Sequence, residues 1–243
     1  MKFFILGDSW GVGEWAIETG KWESIPNTGL DYHLSSVGHT VTNVSAGAAG
    51  NFEQLQHTYR MLKENSDYDY IIWFHTESMR DIESVIMYDL KDAALYFPDF
   101  DISNWNQALD YLDSVNYRYA QMIWNEFKIP FILIGGQCLV NPMINQFSFA
   151  EHIVTSWLAE LLNLKFVPPK NTLFSWPKIK RTIEHYGISQ RQFIIDNLDD
   201  LNKATLIQKL AKDSPLFPDN QHPSGKCFQL LAHRILDMIN NKN

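Results

Sequence analysis

Cysteine is scarce: the 243 residues contain two, Cys138 and Cys227. Neither has a Cys-x-x-Cys partner, so there is no disulfide framework to read. Buried thiols are expected at both positions, with a single bridge between them left open. Long apolar runs are missing too, and nothing approaches the ~20 residues that span a bilayer. The opening run, residues 3–6, is interrupted at Asp8 and lacks the shape of a signal peptide. The expectation is a soluble protein, cytoplasmic or phage-associated, with no transmembrane segment. Basic clusters are limited to Lys178-Ile179-Lys180-Arg181, and 28 acidic against 20 basic residues give a net charge of −8. That balance argues against nucleic acid or an anionic membrane as the main partner. His-Glu-x-x-His spacing and a phosphate-binding P-loop are both lacking, so no metal and no cofactor are expected.

What the chain does have is alternation. Short apolar runs at 3–6, 41–44, 70–74 (YIIWF) and 130–134 (PFILI) look like buried parallel strands. Between and after them, residues 52–64, 109–127, 150–162 and 227–239 carry apolar side chains at helical spacing. Strand–helix alternation of this kind predicts a doubly wound α/β sheet with helices on both faces. No repeat or linker divides the chain, so one domain over 1–243 is expected. Two stretches break the alternation, at 90–106 and 166–204, and are expected to flank the active-site edge as excursions from the sheet.

In open α/β sheets the ligand crevice lies beyond the carboxyl ends of the strands. Gly7-Asp8-Ser9 falls there, at the end of the first strand. Two readings of Ser9 stay open: an exposed hydroxyl with its N–H aimed into the crevice, or a cap for the next helix. Near the other end, Asp219 stands three residues before His222 and Pro223, ahead of an amphipathic helix. A serine becomes a nucleophile when a base takes its proton and a third group fixes the base. Asp219 and His222 form such a pair if the intervening turn folds the carboxylate onto the imidazole.

Together, Gly7-Asp8-Ser9, the block Ser45-Ala46-Gly47-Ala48-Ala49-Gly50 and Asp219-Asn220-Gln221-His222 resemble the SGNH (GDSL-type) hydrolase family. The resemblance implies a three-layer α/β/α, flavodoxin-like fold and an ester hydrolase using a Ser-His-Asp triad. It makes Ser9 the nucleophile, His222 the general base and then acid, and Asp219 the orienting carboxylate. The backbone N–H groups of Ser9 and Gly50 would form the oxyanion hole, Gly50 being glycine for close approach with an unusual φ. The implied substrate is a small-molecule or glycan ester with a short acyl group, acetyl among them. The oligomeric state is not legible.

One block departs from the family. After YIIWF the family carries Gly-x-Asn-Asp, whose Asn donates to the oxyanion; here the run is His75-Thr76-Glu77-Ser78. An ionised Glu77 accepts hydrogen bonds and donates none. Protonation by burial, pairing with Arg80 or Arg60, or a substitute donor in Asn51 would each resolve the conflict. The alternative function is a binding or structural module on the same fold, with catalysis weakened. Asn51, His75, Thr76, Glu77 and Trp10 are the further candidates for lining the site. His75 has a purely structural hydrogen-bonding reading as well. Trp10 and Trp15 flank the nucleophile as candidate stacking rings, with a core position favoured for Trp15.

Overall fold

The computed structural model describes residues 1–18, 21–78, 80–81, 105–169, 180, 184 and 189–241. In chain order come β1 (Lys2–Leu6), α1 (Ser9–Val12), β2 (Trp15–Glu18), β3 (Lys21–Ser24) and α2 (Leu30–Ser36). Then follow β4 (Thr40–Asn43), α3 (Asn51–Glu64), β5 (Tyr70–His75), α4 (Trp105–Phe127) and β6 (Phe131–Gly135). A 3-10 turn (Pro142–Gln146), β7 (Ala150–Val154) and α5 (Trp157–Leu161) precede α6 (Gln190–Asp196), α7 (Leu198–Lys212) and α8 (Gly225–Asn240).

The four apolar runs of the sequence are strands of one sheet: residues 3–6, 71–74 and 131–134 are buried on both faces, whereas β4, at the edge, carries Thr40, Thr42 and Asn43 and is at most half-buried. The sheet has five strands in the order β4-β1-β5-β6-β7. Every pairing in it is parallel. Alternate side chains serve two cores. Phe3, Ile5, Ile72, Phe74, Ile132 and Ile134 pack with Leu30 and Leu34 of α2, Leu158 of α5, Ile207 of α7 and Phe228 of α8. Phe4, Leu6, Ile71, Trp73 and Leu133 pack on the other face with Leu55 of α3 and Tyr117 and Ile123 of α4. The result is three layers, α/β/α, with a doubly wound parallel sheet of flavodoxin-like strand order. In that order the chain reverses direction between β1 and β5, which is where such folds open a crevice at the carboxyl ends.

Two local readings change. Residues 150–162 are not one helix: Ala150–Val154 is the edge strand β7, and Ser156 caps the short α5 through its side chain. Ile153 and Val154 favour the extended chain, and pairing with β6 outweighs a helical spacing continued by Trp157 and Leu158. A two-stranded antiparallel hairpin, β2–β3, follows α1 where no strand was expected. Of the two excursions, residues 90–104 lie outside the described residues, as do 170–179, 181–183 and 185–188. The tail of the second, from Ser189, caps and enters α6 and then α7. Both cysteines are buried and unpaired. Among the described residues no helix is long and apolar enough to cross a membrane.

Candidate active site

The turn after β1 explains its own sequence. Gly7 has φ 149°, and a Cβ there would lie 2.6 Å from Phe74 Cβ, so only glycine lets β1 end this close to β5. Asp8 is the N-cap of α1, accepting from Trp10 N–H at 3.0 Å through Oδ1. Ser9 is therefore relieved of capping and stands at the first helical position. Of its two readings, the cap belongs to Asp8.

The loop before α8 brings its own pair together. Asn220 adopts a left-handed φ of 68°, turning the chain so that Asp219 Oδ1 accepts from the N–H groups of Gln221 (2.8 Å) and His222 (2.6 Å). Asp219 Oδ2 then accepts from His222 Nδ1–H at 2.6 Å. With Nδ1 protonated, Nε2 presents its lone pair, and Ser9 Oγ lies 2.9 Å away as donor to it. Ser9, Asp219 and His222 are 8%, 7% and 8% exposed, so the chain of bonds is shielded from competing water yet not sealed.

Behind Ser9 lies a charged brace. Asp8 Oδ2 accepts from Thr76 Oγ1 at 2.9 Å and faces Arg80 Nη2 at 3.3 Å. Arg80 Nε also reaches Glu77 Oε2 at 3.4 Å, so Glu77 pairs with Arg80. Burial works against the Arg80 charge, but Asp8 and Glu77 outweigh it and the net shift of its pKa is upward.

The other sequence candidates take definite places. Asn51 is buried at the first position of α3. Its amide donates to Thr76 O (2.8 Å) and accepts from Thr76 N–H (3.0 Å), so it fixes the loop after β5. His75 does not line the site: it is 2% exposed, with Nδ1 3.6 Å from Cys138 Sγ and Nε2 3.4 Å from Asp113 Oδ1. Thr76 supports Asp8 from beneath. Gly50 caps α3 with an ordinary φ of −82°, correcting the expected unusual backbone. Its need for glycine is close approach alone, since a Cβ would come within 2.6 Å of Asp81 Oδ1.

The tryptophans exchange roles. Trp10 is fully buried and packs on Phe217, so it belongs to the core and not to the site. Trp15 is half-buried, donates from Nε1 to Ser9 O at 2.9 Å, and places its ring 5.4 Å from that of His222. Trp22 sits at the same centroid distance, edge-on to His222. Sequence reasoning passed over Trp22 because nothing marked residues 21–24 as a strand facing His222.

Asp81 is the titrating group beneath this loop. Its carboxylate accepts from Phe52 N–H (3.0 Å) and Asn116 Nδ2 (2.7 Å), with His75 and Asp113 nearby. Burial pushes its pKa up to about 6, against the pull of those donors. A raised folded-state value means the native protein holds the extra proton, so Asp81 contributes stability below about pH 4 that is lost as pH rises through about 6. Asn116 Oδ1, buried without a hydrogen-bond partner, could accept from an amide at position 81 if the Asn116 side chain turned over. Asp81→Asn is thus expected to fold and to gain melting temperature relative to wild type as pH rises from 4 to 7. Melting curves that stay parallel across that range would contradict this.

No group of three or more His, Cys, Asp or Glu side chains that could hold a metal ion occurs among the described residues. No family model matches this sequence, and no curated protein matches it. Solved structures do. A psychrotrophic esterase from a Pseudoalteromonas species is similar at 12% identity and a TM-score of 0.47, over 99% of this chain and 97% of that one. A lipase from a goat rumen metagenome is similar at 12% identity and a TM-score of 0.45, over 98% and 97%. An acetylxylan esterase from Geobacillus stearothermophilus is similar at 13% identity and a TM-score of 0.43, over 98% and 93%.

Proposed function

We propose that this chain is an SGNH-type serine hydrolase that cleaves short acyl esters of small molecules or glycans. The observation that carries the reading is the unbroken line of hydrogen bonds from Asp219 through His222 to Ser9, at 2.6 and 2.9 Å. Such a line has the direction that acyl transfer needs. His222 Nε2 takes the Ser9 proton as Oγ attacks the ester carbonyl, and Asp219 holds the imidazole and offsets the imidazolium that forms. The Ser9 and Gly50 N–H groups are the proposed donors to the oxyanion. Collapse breaks the bond to the alcohol oxygen, which leaves with the proton from Nε2. Water then repeats the sequence to release the acid.

Turnover of nitrophenyl esters of rising acyl length tests this reading. Hydrolysis that is fastest on the shortest acyl groups and falls as the chain lengthens is expected. A folded protein that cleaves none of them would favour the binding-module alternative.

Pairing with Arg80 offsets the Glu77 charge that would otherwise oppose a developing oxyanion. Glu77→Ala is accordingly expected to cost less than about tenfold in kcat/KM, because a true oxyanion donor costs about 10²–10³-fold when removed. Glu77→Asn should equal or exceed the wild type by adding a donor. A loss above about a hundredfold in a folded Glu77→Ala protein would instead make Glu77 a catalytic residue.

A further inference from the structure

The hairpin β2–β3 is the part of the site that the hydrolytic machinery does not use. It leaves α1 directly and is tied back at its root. Ile25 N–H donates to Glu14 O at 2.8 Å, and Glu14 Oε2 accepts from Gly225 N–H at 2.6 Å, where α8 begins. The hairpin is therefore joined both to the helix carrying Ser9 and to the segment following His222. Its register opposes Trp15 to Ser24 and Ile17 to Trp22, which puts Trp15 and Trp22 diagonally on one face. Both rings lie 5.4 Å from the His222 ring, Trp15 tilted by 34° and Trp22 edge-on at 72°. Trp15 is held by its bond to Ser9 O, whereas Trp22 remains 42% exposed. What sets Trp22 apart from other exposed apolar side chains is its place: an open indole edge-on to the imidazole of the proposed base, where a ligand can reach it.

The order of proton transfers supplies one. His222 Nε2 must deliver its proton to the oxygen of the departing alcohol, so that oxygen lies within hydrogen-bond reach of Nε2. The acyl carbon and its oxyanion lie on the Ser9 side, toward the backbone donors. A ring beside the imidazole is therefore within reach of the alcohol half of the ester. Here two indole rings flank it.

We propose that Trp22, backed by Trp15, is the specificity-determining contact for the alcohol part of the substrate, selecting an alcohol that carries a ring with a flat apolar face. This rests on the esterase reading above. An indole recognises such a ring through its π surface, whether the ring is a pyranose offering a row of C–H groups or an aryl group offering its own face. A small acyclic alcohol cannot reach across to Trp22 and gains nothing from it.

Three acetyl esters separate the possibilities because their acyl group is the same: ethyl acetate, phenyl acetate and a peracetylated methyl pyranoside. For Trp22→Ala, kcat/KM is expected to fall about tenfold on one or both ring-bearing esters and to stay within about twofold on ethyl acetate. Loss on the pyranoside alone identifies a sugar alcohol, and loss on phenyl acetate alone an aryl one. Trp22→Phe, which keeps a ring and the strand propensity, should retain most of the activity on the ester that Trp22→Ala loses. An equal loss on all three esters would assign Trp22 to the hairpin's fold or to His222, and equal activity on all three would leave it no role. Either result overturns the proposal while the esterase reading stands. A wild-type protein inert to all three would overturn both.

Discussion

Replacing Ser9 with alanine is expected to lower ester turnover by about 10⁴–10⁶-fold, the range for removing the nucleophile of a serine hydrolase. The loss should be chemical and not structural. Asp8 supplies the α1 cap, and alanine is the best residue for a helix interior, so the segment keeps its reason to fold. Oγ has one partner that matters, His222 Nε2 at 2.9 Å, and its removal leaves the imidazole aligned with nothing to deprotonate. Melting temperature should stay near that of the wild type. A folded Ser9→Ala protein that keeps a tenth of the wild-type rate on a short nitrophenyl ester would show that another group performs the attack.

Asp219→Asn is expected to lower kcat by about 10²–10⁴-fold with a much smaller change in KM. Its oxygen can still accept from the Gln221 and His222 N–H groups, so the turn should survive. What changes is the atom facing Nδ1. An amide nitrogen there donates where the carboxylate accepted, which favours the other imidazole tautomer and aims an N–H at Ser9 Oγ. The base is then present but already protonated on the working nitrogen. An unchanged kcat would mean that another residue orients His222.

The fold was legible in the sequence where burial is symmetrical. Residues 3–6, 70–74 and 130–134 are apolar throughout because helices cover both faces of the strands they form, and their shortness and β-branched and aromatic content separate them from buried helix. The edge strand β7 was not legible. Its Ala150-Glu151-His152-Ile153-Val154 is paired along one side only and is mostly half-buried, so the polar residues that an edge admits blur into the helical spacing of α5. The hairpin escaped for a related reason: Trp15–Glu18 and Lys21–Ser24 are four residues each and carry charges, and their pairing partners are each other rather than the sheet.

At the site, legibility followed sequence distance and chemistry. Asp219 and His222 are three apart, and a single turn with Asn220 in the left-handed region joins them, which a short motif can encode. Ser9 and His222 are 213 residues apart, so their meeting depends on the strand order and was readable only through a family resemblance. Trp10 and Trp15 exchanged roles because α1 is a four-residue helix whose geometry decides which ring turns inward. The sequence named Arg80 and Arg60 equally as partners for Glu77. Arg80 is chosen because it lies three residues on, at the point where Asp8 also faces it.

The central claim is that Ser9 is an activated nucleophile, and covalent labelling with a fluorophosphonate tests it most directly. Attack forms a bond from Ser9 Oγ to phosphorus and expels fluoride, with His222 taking the proton, so no substrate preference enters the result. The account predicts stoichiometric labelling of the native protein, mapped by mass spectrometry to the peptide containing Ser9. Labelling should be lost in Ser9→Ala, and after denaturation, when His222 no longer stands beside it. A native protein left unlabelled, or labelled equally well in Ser9→Ala, would contradict the account.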